Sequence, residues 1–281
     1  MIIDFHTHIF PPEVREQRDE YRRRDPTFAE MYGNPKAKIA TAEELLASMD
    51  EAGVGVSVAL GFAWRDQELI VRHNDYLLES AANSGGRIVP FCTSTMAGNE
   101  QDCEQEIARC LAAGARGVGE LRPESQGWDL NGAAGDRLAA LGKEHNLLLL
   151  FHVSEPVGHE YPGKEGLRIG AFYRFVVQHP ELCVVGAHLA GGLPFYAHTP
   201  RVEEVLSRIY VDTAAQSFLY RPEVYESLAR HISAGRILMG SDYPLVPVAR
   251  HMAEIRQAVP DPEARAALLG GNAARLLGLS Q

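Results

Sequence analysis

Eight short apolar runs recur along the chain, separated by longer amphipathic stretches. Most of the runs are continuously apolar rather than alternating, which is typical of parallel strands that are covered on both faces. Several of the intervening helical patterns end in a glycine just before the next run. Eight strand-then-helix units predict an α/β fold, the (β/α)8 TIM barrel. The runs are residues 2–5, 54–60, 87–92, 115–120, 147–152, 182–188, 209–212 and 236–242.

The runs favour a closed barrel over a doubly wound open sheet, because no glycine-rich phosphate loop follows the first run. We expect one domain over residues 1–281. The spacing is about one strand–helix unit except after the first run, where Pro11 and Pro12 begin a long charged loop at about residues 10–40. Loops of this length are usually functional lids or disordered. This one is a candidate lid over the barrel mouth.

Composition restricts the partners and the compartment. The net charge of −10 disfavours a surface that coats nucleic acid. The four cysteines form no CxxC pair, so free thiols in a reducing cytoplasm are expected. The N-terminus lacks the basic region of a signal peptide, and no apolar run approaches the roughly 20 residues that cross a bilayer. We expect a cytoplasmic protein without nucleic-acid or membrane partners, with a homodimer as the oligomer to test.

Polar side chains stand where the apolar runs end, and in a barrel these ends surround one mouth. His6 and His8 are two residues apart in the first run, so both project to the same side. A lone histidine there would most simply be structural, but a whole set without partners would be costly to bury. Nitrogen and oxygen donors without thiolates suit Zn²⁺, Mn²⁺ or Fe²⁺. The predicted metal ligands are His6, His8, Glu120, His152, His188 and Asp242.

These residues resemble a known family. The segment DFHTH at residues 4–8 resembles the HxH signature of the amidohydrolase superfamily. His152, His188 and the segment GSDYP at residues 240–244 resemble its later strand markers. The segment GNAARL at residues 271–276 resembles the C-terminal signature of its amidohydrolase-related branch. That branch also contains aminocarboxymuconate-semialdehyde decarboxylase and related metal-dependent decarboxylases.

Glu120 departs from the pattern of that branch. It ends the segment GVGE, where other members of the superfamily have a lysine, and it resembles the bridging glutamate of TatD-type hydrolases. This resemblance favours hydrolysis and room for two ions. The alternative is an ion pair between Glu120 and either Arg116 or Arg122.

The resemblance implies a metal-dependent hydrolase of a small-molecule C–N or C–O bond, as in an amide, lactone or ester. We expect Zn²⁺ first, as one or two ions, because a bound ion lowers the pKa of its water towards 7. Asp242 would then transfer the proton, while His188 would polarise the carbonyl or bind a second ion. His152 would be a direct ligand, and Asp4 would orient an imidazole.

Two alternatives stay open. In a metal-dependent decarboxylase of an unsaturated or aromatic carboxylic acid, Asp242 or His188 would protonate carbon. The second alternative is a barrel that has kept the fold and lost its activity, and the full set of metal donors argues against it.

Substrate contacts must come from the loops beyond the strand ends. Arginine there can bind a carboxylate through two nitrogens. The polar side chains in these loops favour a small, polar and anionic substrate. The predicted contacts are Arg122, His159, Tyr161, Lys164, Tyr220 and Arg221.

Overall fold

Each of the eight apolar runs overlaps a strand of one parallel sheet in the computed structural model, which describes residues 1–164 and 166–279. The barrel strands follow the order β1-β2-β3-β4-β5-β8-β9-β10, and β6 pairs with β7 beside them. The strands are β1 (Ile3–His8), β2 (Val56–Leu60), β3 (Ile88–Cys92), β4 (Gly117–Leu121), β5 (Leu148–Phe151), β6 (Val153–Ser154), β7 (Leu167–Arg168), β8 (Cys183–Gly186), β9 (Tyr210–Asp212) and β10 (Ile237–Leu238).

The backbone beyond β10 joins β1 and closes the sheet. The N–H of Phe5 donates to the carbonyl of Met239 at 2.7 Å, and a parallel bridge joins Thr7 to Tyr243. This closure confirms the predicted (β/α)8 barrel and excludes the open sheet. The short β6–β7 pair has no counterpart in the prediction.

The helices lie between the strands and cover the outside of the barrel. Short 3₁₀ turns occur at Leu193–Tyr196 and Ala234–Arg236, and a π segment occupies Ala267–Gly271. The helices are α1 (Pro12–Glu16), α2 (Arg18–Arg24), α3 (Pro26–Tyr32), α4 (Ala42–Ala52), α5 (Gln67–Asn83), α6 (Glu100–Ala112), α7 (Pro123–Gln126), α8 (Ala133–Glu144), α9 (Ile169–Gln178), α10 (Ala187–Ala190), α11 (Pro200–Leu206), α12 (Gln216–Leu219), α13 (Val224–His231), α14 (Val248–Ala258), α15 (Pro262–Ala266) and α16 (Asn272–Leu277).

Residues 10–40, expected to be a loop, contain the three helices α1, α2 and α3. They are held by an aromatic cluster that consists of Phe10, Tyr21, Phe28, Tyr32, Phe62 and Trp64. The buried carboxylate of Asp25 accepts hydrogen bonds from the N–H of Phe28 at 3.0 Å and of Arg65 at 2.7 Å. The segment is therefore anchored to the loop after β2.

The C-terminal signature holds the last barrel strand. The amide of Asn272 donates to the carbonyls of Ala234 and Ile237, each at 2.7 Å. Gly270, in the π segment, lies so close to β1 that an added Cβ would stand 2.2 Å from the carbonyl oxygen of Met1. The signature therefore fixes β10 and β1 next to each other, the strands that lead to Asp242 and to His6 and His8.

No helix in residues 1–164 or 166–279 combines the length and the apolar character needed to span a bilayer.

Candidate active site

The six predicted metal ligands converge at the carboxyl ends of the barrel strands. Nε2 of His6 lies 3.1 Å from Nε2 of His8, and Nδ1 of His152 lies 3.0 Å from Nε2 of His188. Nitrogens that are each about 2.0–2.1 Å from one tetrahedral ion are roughly 3.3 Å apart. The two pairs thus have the spacing of ligands that share an ion. Within the described residues, two sets of three donors lie close enough together to hold a metal ion: His6, His8 and Glu120, and Glu120, His152 and His188.

Glu120 lies between the two pairs. Its Oε1 is 2.9 Å from Nδ1 of His152 and 3.3 Å from Nε2 of His188, and its Oε2 is 3.5 Å from Nε2 of His8. Arg116, a predicted ion-pair partner, instead donates to the carbonyl of Leu277 at 2.8 Å. The carboxylate therefore belongs to both sets of donors.

Asp242 lies beside the His6–His8 pair and lines the cavity. Its Oδ1 is 3.7 Å from Nε2 of His6 and 3.5 Å from Nε2 of His8. The backbone of Asp242 has φ 64°, in the left-handed region, and its N–H donates to the carbonyl of His6 at 2.9 Å. Such a conformation costs energy in a non-glycine residue, so the surrounding structure must hold it in place.

His188 also stands on strained backbone. His188, Leu189 and Ala190 have φ of 55°, 57° and 50°, so the chain makes a left-handed turn immediately after β8. Non-glycine residues in this region cost roughly 1–2 kcal/mol each. The carboxylate of Asp212 accepts the N–H of His188 at 2.9 Å, which helps to hold the turn.

Asp212 also orients His6, a role that the sequence pattern had suggested for Asp4. Oδ2 of Asp212 lies 2.8 Å from Nδ1 of His6. The carboxylate of Asp4 instead accepts from the N–H of Ser241 at 2.9 Å and from its hydroxyl at 2.5 Å. Asp4 therefore supports the loop after β10. The position of Asp212 at the end of β9 is the sequence feature that could have indicated this role.

The electrostatics of the site favour a cation. Burial would lower the pKa of His6, but the carboxylates of Asp212, Glu120 and Asp242 raise it to about 10. Burial would raise the pKa of Glu120, but the imidazoles of His152 and His6 hold it well below its usual range. Carboxylates that favour positive charge this strongly form a fitting environment for a divalent ion.

His152 differs from His6 in its protonation. Burial lowers the pKa of His152 to about 4, although Glu120 opposes the shift. A neutral imidazole is the form that binds a metal. In addition, Nδ1 of His8 is buried without a hydrogen-bond partner among the described residues. The donor set and its charges support a metal-binding site.

A cavity of about 320 Å³ lies over this cluster. Three of the predicted substrate contacts, Arg122, His159 and Tyr161, line it. Away from the donors the wall is mainly apolar. Its apolar and aromatic residues, which the sequence pattern did not reveal, are Met31, Tyr32, Ala37, Phe62, Ala63, Pro162, Ala215, Phe218, Leu219, Pro244 and Leu245.

The other predicted contacts, Lys164, Tyr220 and Arg221, lie outside the cavity wall. Lys164 donates to the carbonyls of Gly158 and His159 at 3.1 and 2.8 Å, so it ties its own loop together. The ring of Tyr220 packs against that of Phe195, with centroids 5.6 Å apart. Arg221 is exposed to solvent.

Arg122 is a buried cation at the cavity, with 1% of its surface exposed. Its guanidinium donates to the carbonyl of Gly163 at 2.6 Å and contacts the sulfur of Met31 at 2.7 Å. Its Nε has no partner among the described residues, and a carboxylate oxygen of Glu30 lies 4.0 Å from the guanidinium. Burial lowers the pKa of Arg122, while Glu120 and Glu30 oppose that shift. A buried guanidinium with so little compensation is suited to receive an anion.

Residues 3–279 match the family model described as amidohydrolase. The chain belongs to this family. The match covers the HxH segment, the later strand ends and the C-terminal signature, as the resemblance implies. The prediction of an enzyme of the amidohydrolase superfamily is therefore supported.

Solved structures share the fold over nearly their whole length. A 5-carboxyvanillate decarboxylase from Novosphingobium aromaticivorans, with bound manganese and 3-methoxy-4-hydroxy-5-nitrobenzoic acid, is 16% identical, with a TM-score of 0.81 and 99% and 97% of the two chains covered. A dihydroxybenzoic acid decarboxylase from Polaromonas sp., with bound manganese and 2-nitroresorcinol, is 16% identical, with a TM-score of 0.75 and coverage of 100% and 97%. A 2,6-dihydroxybenzoate decarboxylase from Rhizobium is 15% identical, with a TM-score of 0.76 and coverage of 99% and 98%. No curated protein matches the chain significantly.

The predicted hydrolysis of a C–N or C–O bond is wrong, because these structural neighbours are decarboxylases. The prediction relied on Glu120 as a sign of attack by metal-bound water. A carboxylate between imidazoles can serve as a metal donor in any reaction that uses the ion, so its position does not specify the nucleophile.

Proposed function

We propose that this protein is a metal-dependent decarboxylase of a single-ring aromatic carboxylic acid. The observation that carries the proposal is the coincidence of five convergent metal donors, with Asp242 beside them, and a mainly apolar cavity of about 320 Å³. Cavities of this size accommodate small ligands, and an apolar wall suits a ring. The fold is shared with decarboxylases, and one of their structures contains 2,6-dihydroxybenzoate.

The metal ligands are drawn from the predicted set of His6, His8, Glu120, His152, His188 and Asp242. Manganese is the first ion to test, because two of the similar structures contain it, and Zn²⁺ and Fe²⁺ suit the same donors. When bound, a divalent ion would act as a Lewis acid that holds and polarises an oxygen of the substrate.

The protein's own groups supply the remaining chemistry. Arg122 anchors an anionic oxygen of the substrate from the cavity wall, and the apolar residues around it exclude water from the ring. The bond between the ring carbon and the carboxylate breaks, and its electron pair stays on the ring carbon. Asp242 or His188 supplies the proton for the new C–H bond as CO₂ leaves.

The test is product analysis with a panel of hydroxylated and carboxylated benzoic acids. Protein loaded with manganese should release CO₂ and the matching arene in equal amounts, and Asp242→Asn should reduce the rate by about 100-fold or more. Protein stripped by a chelator serves as the control. Metal-loaded protein that binds these acids and releases no CO₂ would contradict the proposal.

A further inference from the structure

Tyr32 presents a hydroxyl group to the cavity from the end of α3. Its side chain lines the cavity and is 9% exposed. Among residues 1–164 and 166–279, no group forms a hydrogen bond with this hydroxyl. The chain between β1 and β2 thus brings a polar group without a protein partner to the cavity that holds the metal donors.

The ring of Tyr32 is fixed by its neighbours in the aromatic cluster. It stacks on Phe28, with centroids 4.9 Å apart and 21° between the planes. It meets the rings of Phe10 and Phe62 edge to face, at 5.3 and 5.6 Å. Asp25 caps the N-terminus of α3 and joins it to the loop after β2, so the helix that carries the hydroxyl is tied to the barrel.

The surroundings keep this hydroxyl a hydrogen-bond donor. Burial raises the pKa of Tyr32, and the nearby carboxylates of Asp242 and Glu120 raise it further, so the phenol stays protonated at neutral pH. A ligand that fills an apolar cavity displaces the water around such a group. The donor must then find an acceptor on the ligand, or binding is weakened.

We propose that Tyr32 is a specificity-determining residue, which donates a hydrogen bond to an oxygen substituent on the substrate ring. The inference rests on the proposed function for the nature of the ring. It adds that a ring hydroxyl or phenolate, besides the carboxylate that is lost, strengthens binding of the substrate. Fixed donors of this kind discriminate well, because a ligand without the acceptor leaves a buried polar group unpaired.

The test measures binding of two inert probes to manganese-loaded protein by calorimetry. The probes are 2-nitrophenol and nitrobenzene, which differ only in the ring hydroxyl and cannot lose CO₂. Tyr32→Phe keeps the ring and removes the hydroxyl. This substitution should weaken the binding of 2-nitrophenol by about 3- to 10-fold, the contribution of one hydrogen bond. The affinity for nitrobenzene should not change. Tyr21→Phe is a matched control, because Tyr21 belongs to the same aromatic cluster and lies outside the cavity wall.

The outcomes separate the two proposals. If Tyr32→Phe and the natural protein bind 2-nitrophenol with equal affinity, the proposed role of Tyr32 is overturned. The same holds if the substitution lowers the affinity for both probes equally. If Tyr32→Phe loses affinity for 2-nitrophenol alone and no aromatic acid releases CO₂, the recognition role of Tyr32 is supported and the proposed decarboxylase activity is refuted. Thermal unfolding of both variants checks that the aromatic cluster remains folded.

Discussion

Oδ2 of Asp212 lies 2.8 Å from Nδ1 of His6, and both side chains are completely buried. The other oxygen of the same carboxylate accepts the N–H of His188 at 2.9 Å. One carboxylate thus positions two histidines that come from different parts of the barrel. An acceptor beside Nδ1 of His6 keeps a proton on that nitrogen, so Nε2, which faces His8 and Asp242, is the atom available to bind an ion.

Asp212→Asn should weaken metal binding by about 10- to 100-fold, because an amide can donate to Nδ1 of His6 and shift the ring proton to Nε2. The dissociation constant for manganese, measured against a chromophoric chelator, checks this. Asp136→Asn is the matched control, since Asp136 lies 3.7 Å from Nε2 of His179 at the surface. A folded Asp212→Asn protein with unchanged affinity would refute the positioning role.

Glu120→Gln tests whether one carboxylate serves both sets of donors. The amide keeps the shape and loses the charge, so we expect metal affinity to fall by roughly 100-fold or more and the number of bound ions to fall if two are present. Elemental analysis and competition titration measure both quantities. Glu106→Gln is the control, because Glu106 is also buried but pairs with Asn74 and Arg109 away from the site. That variant should lose stability and keep its metal affinity.

The barrel could be predicted because its signals are local. Continuous apolar runs indicate strands buried on both faces, and each strand end is set by the polar residue that follows it. The spacing of His6 and His8 even indicates the side to which they point. Because parallel strands align at their carboxyl ends, the amino-acid sequence alone is enough to place residues that are far apart in the chain at one mouth.

The partners of these residues could not be predicted, because they depend on register and loop paths. Whether Asp4 or Asp212 reaches His6 depends on how β9 and β1 face each other across the barrel. The left-handed turn at His188 has no sequence signal ahead of the glycines at 191 and 192. Residues 10–40 contribute to the cavity wall because Asp25 and the aromatic cluster are brought together by tertiary packing.

His73 should make the protein sensitive to mild acid. Burial lowers the pKa of His73 to about 4. Its Nδ1 accepts a hydrogen bond from the indole N–H of Trp64 at 3.0 Å, so a proton on Nδ1 would break that bond. Between pH 6.5 and 4 the unfolded chain takes up a proton that the native protein does not, so stability falls as the pH falls. This costs about 2 kcal/mol at pH 5 and almost nothing above pH 7.

Denaturant unfolding of His73→Gln at several pH values checks this contribution. Glutamine can accept from Trp64 and donate to the carbonyl of Ile9, as His73 does at 2.8 Å. The variant should lose less stability than the natural protein between pH 6.5 and 4.5. His145→Gln, at an exposed position, is the matched control. Parallel curves for His73→Gln and the natural protein would rule out the contribution of His73.

Arg122→Met should separate stability from substrate binding. The buried guanidinium of Arg122 has an unpartnered Nε among the described residues, so an apolar side chain of similar length should leave the free energy of unfolding unchanged or raise it by about 1–2 kcal/mol. The same change should raise KM for an anionic aromatic acid by about 10-fold or more, with partial recovery in Arg122→Lys. Denaturant unfolding and steady-state kinetics measure the two effects, and exposed Arg221→Met is the control. A destabilised Arg122→Met protein with unchanged KM would show that Arg122 supports the fold and does not bind substrate.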